Sequence, residues 1–204
     1  MNLETQPWRA ALIEYIRREA KPVDKFGHQP RLYALTRRIG EGLTYDDDVV
    51  FAAAWMHDLG VFVGHRPEDP TALAAWDNVV YAIEQTPDVL AGFGFPPEKI
   101  PAVIEAIRTH QPQKQPQSIE ATILRDADIL EQLGAIGILR AVSKVGRDTR
   151  YATFSAVVPV LKQALETLPP LIHLPSAKAL AARRMATLGA FLAAVEAEAG
   201  GELH

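Results

Sequence analysis

The chain has no cysteine among its 204 residues. That excludes a disulfide framework and any metal site built on thiolate. A metal here would have to be held by His, Asp or Glu, a donor set suited to harder cations. Long apolar runs are also missing. The stretch 49–56 is apolar but far shorter than the roughly 20 residues that span a bilayer. The N-terminus shows no basic region followed by an apolar stretch, so no signal peptide is expected and the expected location is cytoplasmic. Nor is there a basic excess: 21 Lys and Arg stand against 25 Asp and Glu, a formal charge of -4. This argues against a dedicated nucleic-acid binder, while leaving room for a local basic pocket that takes a small anion.

Period-two runs of Val, Ile and Thr are absent too. Ala, Leu, Glu and Arg dominate instead, and apolar residues recur at helical spacing. The expected fold is all-α, one domain over 1–204, with no internal repeat and no linker between two cores. Helices are expected at about 7–20, from 24–28 to 40, from 46 to 57–60, 70–84, 97–109, 119–132, 135–144, 153–168 and 176–198. Pro7 suits a first turn, and Trp8, Leu12, Tyr15 and Ile16 supply the inner face of the first helix. Pro30 requires the second helix to begin near His28. Asp46, Asp47 and Asp48 crowd the start of the third helix, where carboxylates suit the macrodipole. That helix is apolar nearly all round, so it should be buried, with Gly60 its C-terminal cap. Residues 61–69 read as a loop, and 111–117, with two prolines and four glutamines, as a polar surface loop.

Trp55, Trp76 and Phe51 read as core, and Phe93-Gly94-Phe95-Pro96 as a turn with exposed aromatics, either a packed turn or a lid over a base, the packed turn being favoured. The Ala-rich last helix, with Arg183-Arg184, either closes the bundle or forms a homodimer contact.

Four features carry chemistry. A buried helix ends in His57-Asp58, and a carboxylate in apolar surroundings is costly unless paired or bound to a cation. In Leu124-Arg125-Asp126-Ala127-Asp128-Ile129-Leu130, two acids two positions apart cannot share one helix face, so one of them points inward. Unless the helix bends, Asp128, flanked by Ala127, Ile129 and Leu130, is the expected inward one; the alternative is that one of the two is solvated and the other paired with an arginine such as Arg125. His28 opens an amphipathic helix and is followed by Arg31. His110 ends a helix whose apolar positions are Val103, Ile104 and Ile107. Each feature alone also fits a capping or paired side chain.

Taken in order, His28, His57-Asp58, His110 and Asp128 resemble the HD-domain phosphohydrolase superfamily, an all-helical fold. The segment Ala52-Ala53-Ala54-Trp55-Met56-His57-Asp58-Leu59-Gly60 is similar to that family's apolar helix, His-Asp, apolar residue and Gly. Arg125-Asp126-Ala127-Asp128-Ile129-Leu130 through Gly134-Ala135-Ile136-Gly137 is similar to a segment of its small bacterial branch, as is Ile107-Arg108-Thr109-His110. The resemblance covers about 26–144, with the helices of 153–199 closing the bundle.

It implies that His28, His57, Asp58 and Asp128 bind one divalent ion (Mn, Mg, Fe, Co, Ni or Zn), which would acidify a bound water and polarise a phosphoryl group. Asp58, His110 and Arg31 are then the expected catalytic residues, Arg31 as the phosphate contact. Arg66, Arg125, Lys144 and Arg147 are further cations, and His65 and Glu68 further acid or water-orienting groups. The implied activity is metal-dependent removal of phosphate or pyrophosphate from a nucleotide or other small phosphorylated metabolite. The alternatives are a dinuclear phosphodiesterase that adds His65 and His110 as ligands, and a non-catalytic nucleotide-sensing module. No nucleic-acid or membrane partner is expected.

Overall fold

In the structure, a computed structural model that describes residues 6–146, 151–200 and 202–203, the regular elements are helices. Only an isolated bridge between Val63 and Arg66 interrupts them among the described residues. The all-α expectation holds. The chain divides into two compact units, residues 1–125 and 126–204.

The first unit contains α1 (Pro7–Glu19), α2 (His28–Ile39), α3 (Asp47–Met56), α4 (Pro70–Ala74), α5 (Asn78–Gly92) and α6 (Ile100–Thr109). It also takes the opening turns of α7 (Ile119–Glu131). Helix α3 is the axis of this unit. It packs on α1, α2, α5 and α6, and every residue from Val49 to Met56 is buried. A helix with no polar stripe has nowhere else to go.

The start of α3 is fastened by charge. Asp46 is the N-cap, its side chain accepting from the Asp48 backbone N–H at 3.0 Å. Arg9, buried on α1, donates to Asp47 at 2.9 Å and to Asp48 at 2.6 Å. Its guanidinium lies 4.5 Å from the Phe51 ring centroid. Lys99 reaches Asp46 and Asp48, each at 2.8 Å. Tyr33 of α2 donates to Asp47 at 2.9 Å. Burial, and then this bond to a carboxylate, push the Tyr33 hydroxyl up to about 12.

Three elements depart from the sequence expectation. The helix expected at 70–84 is broken at residues 75–77. Asp77 stops it by capping a new helix, accepting from the N–H groups of Val79 and Val80. That new helix, α5, runs on through Pro87 to Gly92. Gly60 is not the cap of α3, a place taken by His57. It lies in the turn Leu59–Val61, pressed so closely on α5 that a Cβ would stand 2.5 Å from the Asn78 carbonyl oxygen. Trp76 is not core. It is half-buried and donates its indole N–H to the Gly60 carbonyl at 2.8 Å. The turn at 93–96 is packed: Phe95 is buried edge-on to Trp8, and Phe93 lies against Tyr15.

The second unit holds the rest of α7, then α8 (Gly134–Val142), α9 (Phe154–Thr167) and α10 (Pro175–Ala199). Helix α10 packs on α8 and α9, burying Ala177, Ala181, Leu188 and Leu192. Glu131, buried, faces Arg140 at 3.7 Å and Arg184 at 3.9 Å. No helix among the described residues is long and apolar enough to cross a membrane.

The network at the start of α3 predicts an acid-sensitive fold. Burial raises the Asp48 carboxyl, but the bonds from Arg9 and Lys99 outweigh it and hold Asp48 below its ordinary value. A carboxyl depressed in the folded state stabilises it above the unfolded pKa of about 4. That contribution is lost as pH falls through the lower folded value. The urea midpoint should therefore fall less steeply between about pH 5 and pH 2 in Asp48→Asn than in wild type. Arg9→Met, which removes one charged donor from Asp47 and Asp48 while Tyr33 and Lys99 still hold them, should cost about 2 kcal/mol at neutral pH.

Candidate metal centre

The end of α3 aims two side chains at one place. His57 is the C-cap residue, buried, and its Nδ1 lies 3.0 Å from the Ala54 carbonyl oxygen. A carbonyl can only accept, so Nδ1 carries the proton and Nε2 presents its lone pair. Asp58 follows with φ -101 and ψ 11, outside the helix, which lets adjacent residues converge where a continuous helix would splay them. His28 is the first residue of α2, and α2 packs on α3. Pro30 falls in the first turn, where its missing N–H breaks no helical bond.

The three ligand atoms form a nearly equilateral triangle. His28 Nε2 and His57 Nε2 are 3.3 Å apart, and the Asp58 carboxylate oxygen is 3.6 Å from each. Two donors bound at roughly 2.0–2.2 Å to one ion stand about 3 to 3.5 Å apart at octahedral or tetrahedral angles. The His57 lone pair and the Asp58 carboxylate are both acceptors, and they face one point. A divalent cation there satisfies both, so the donor set fits the implied metal. His28, His57 and Asp58 lie close enough to hold it.

His110 stands beside this triangle. It is the C-cap residue of α6, buried, with Nδ1 2.6 Å from the Ile107 carbonyl oxygen. The local geometry repeats that of His57, so its Nδ1 likewise carries the proton. The two rings meet edge to face with centroids 5.0 Å apart. Glu105 anchors the loop beyond His110, accepting from the Gln117 backbone N–H and the Ser118 hydroxyl.

The remaining candidates fall in different places. Asp128 is buried on α7, with Gln132 and Arg140 as neighbours in its own unit. The expectation that one acid of the Asp126/Asp128 pair is inward and the other solvated or paired with an arginine needs correction, because both are buried. Asp126 is the deeper, and its carboxylate accepts the backbone N–H groups of His173 and Leu174 ahead of α10. Arg125 is fully buried and donates to the Pro112 carbonyl. Arg31 is exposed, one turn beyond His28. Glu68 is exposed, Arg66 follows the bridged turn after Val63, and Lys144 is half-buried after α8. Arg147 lies outside the described residues.

His65 is engaged away from the triangle. Its Nδ1 is 2.9 Å from the Tyr81 hydroxyl and its Nε2 3.1 Å from Glu19. Burial raises the Glu19 carboxyl, but bonds from Arg18 and His65 outweigh it and hold Glu19 below its ordinary value. Glu19 and Tyr81 carried no signal in the sequence, being single polar residues on amphipathic helices.

The sequence profile of the HD domain family matches residues 26–133, more than half of the chain. The chain belongs to the HD domain family. Solved structures agree on the fold. Bacillus subtilis YpgQ in complex with ADP is 24% identical, with 94% of each chain covered and a TM-score of 0.68. A Lactobacillus plantarum protein is 24% identical over 98% of this chain and 100% of its own, at a TM-score of 0.72. A predicted HD superfamily hydrolase from an uncultured Thermotogales bacterium is 22% identical over 96% and 95%, at 0.65. Comparison with curated proteins gives no match. Family membership and the His-His-Asp triangle together support a metal-dependent hydrolase in general.

His57→Ala removes one ligand and Asp58→Asn the only charge in the triangle. Titration of the metal-free protein with Mn(II) should show affinity at least tenfold weaker in each, since a lost ligand costs no less than the roughly 10–100-fold of a lost supporting contact. Unchanged affinity in both variants would show that the ion, if bound, sits elsewhere.

Proposed function

We propose that this member of the HD family is a phosphohydrolase that releases phosphate or pyrophosphate from a nucleotide or other small phosphorylated metabolite. The observation that carries the reading is the triangle of His28, His57 and Asp58, whose ligand atoms stand 3.3 to 3.6 Å apart. Asp128 is proposed as a fourth ligand. It is a buried carboxylate at the position that the family resemblance assigns to one. The solved YpgQ complex contains ADP, which supports a nucleotide as the class of substrate.

A divalent ion held there would make a coordinated water more acidic and polarise a phosphoryl oxygen. The chain's own side chains supply the rest. Asp58, both ligand and catalytic group, brings the negative charge that holds the cation and turns its oxygen toward the reacting water. His110 keeps its Nδ1 proton on the Ile107 carbonyl, which makes Nε2 the nitrogen suited to take a proton from the attacking water or to orient it. Arg31 offers a planar, always-charged fork to two phosphoryl oxygens, where the transition state concentrates charge. One ion is favoured over two because His65, which a dinuclear site would recruit, already has both ring nitrogens engaged by Tyr81 and Glu19. The substrate is expected to be small, and the chain to act away from membranes and nucleic acid.

A nucleotide panel assayed with Mn, Mg, Co and Ni tests this reading. Hydrolysis of at least one nucleoside phosphate is expected, with release of phosphate or pyrophosphate identified by chromatography. His57→Ala and Asp128→Asn should abolish it. His110→Ala should lower kcat by about 100-fold or more, and Arg31→Ala should mainly raise KM. Tight binding of ADP with no turnover under any metal would replace the enzyme with a nucleotide-sensing module.

A further inference from the structure

Gly27 is a residue whose backbone does not need to be glycine. Its φ of -61° and ψ of -16° are right-handed helical, open to any L-residue. Glycine in such a conformation is less stable than alanine, because it loses more freedom on folding. As the N-cap of α2 it offers no side-chain bond, and it lacks the extended conformation usual for that place. Space explains it instead. A Cβ at Gly27 would stand 2.9 Å from a terminal nitrogen of Arg31, closer than real contacts allow. The Arg31 guanidinium therefore folds back over the start of α2, against the residue that precedes the metal-binding His28.

The surroundings make this start rigid. The Gln29 carboxamide, fully buried, donates to the carbonyls of Phe26 at 3.1 Å and Lys25 at 3.0 Å. The Phe26 ring packs on Trp55 with centroids 5.7 Å apart, and the Arg17 guanidinium lies 5.0 Å from its centroid on another side. A methyl group at position 27 would thus displace the flexible guanidinium rather than the backbone.

We infer that Gly27 is a positioning residue for phosphate recognition: its missing side chain is the seat that holds the Arg31 guanidinium beside the metal centre. The inference rests on the reading of Arg31 as the phosphate contact. Phosphate binding is then set by two residues acting as one. Arg31 supplies the charge, and Gly27 fixes where that charge stands.

A double-mutant cycle separates this from a structural role. Binding of inorganic phosphate to the Mn(II)-loaded full chain is measured by calorimetry for wild type, Gly27→Ala, Arg31→Ala and the double variant. Arg31→Ala should weaken binding roughly tenfold or more, the loss of a charge-assisted bond. Gly27→Ala should weaken it roughly threefold or more while Tm stays at or above that of wild type, because alanine suits the backbone. In the Arg31→Ala background, Gly27→Ala should have no further effect. If Arg31→Ala weakens binding but Gly27→Ala does not, or if the two effects simply multiply, the seat is refuted and Arg31 remains the phosphate contact. If Arg31→Ala leaves binding unchanged, or wild type binds no phosphate, the reading of Arg31 falls and the seat falls with it.

Discussion

The burial of α3 on all sides is the constraint on which the rest of the first unit depends. An apolar helix of this kind has no preferred face, so packing alone does not fix its axial position. Polar fastenings at its two ends do that. At the start, Arg9 and Lys99 hold three consecutive aspartates. At the far end, Gly60 lies against Asn78, and Trp76 holds the Gly60 carbonyl. His57 and Asp58 sit between the last turn of the helix and the second of these clamps. A metal triangle with sides of 3.3 and 3.6 Å tolerates little slippage. One clamp lies ten residues before the pair and the other directly after it, so the pair is held from both ends of the helix.

Much of this was legible before any coordinates. The helices follow from apolar spacing, and α3 announces its burial by lacking a polar face. The pair His57-Asp58 is visible as two polar residues where such a helix ends. The less legible parts share a physical cause, in that side-chain chemistry does not reveal its tertiary partner. Arg9 lies on an amphipathic helix and reads as a surface residue, yet it is buried between aspartates and aromatic rings. Asp126 and Asp128 look like an inward and an outward acid. Both are buried because Asp126 serves backbone N–H groups near His173, 47 residues away. The break at residues 75–77 is written only in the capping side chain of Asp77, and α5 continues through a proline that sequence patterns treat as a stop.

His65 shows how proximity in sequence misleads. It follows His57-Asp58 closely, and on that ground it was a candidate second ligand or acid. The chain turns at the bridge between Val63 and Arg66 and carries the imidazole to Glu19 and Tyr81. Together with the bond from the Val63 N–H to the Lys21 carbonyl, it ties the segment after the metal pair to the end of α1. A histidine with a carboxylate on one nitrogen and a phenol on the other is satisfied where it stands, and has no lone pair to give to a metal.

His57 and His110 are built by the opposite arrangement. His57 and His110 each end a helix, and each returns Nδ1 to the carbonyl three residues earlier, Ala54 in one case and Ile107 in the other. The last carbonyls of any helix lack intrahelical donors, so a C-terminal histidine gains a hydrogen bond by giving its Nδ1 proton there. That bond stabilises the helix end and selects the tautomer in one step, leaving Nε2 unprotonated and pointing past the helix. Helices α3 and α6 pack together, and their ends bring two such rings to a centroid separation of 5.0 Å. The protein thus satisfies two helix termini and prepares two lone pairs with the same pair of bonds. The backbone supplies the orienting acceptor that metal-ligating histidines commonly find in a carboxylate or a carbonyl. It follows that the orientation of each ring is tied to the integrity of the helix end that holds its Nδ1.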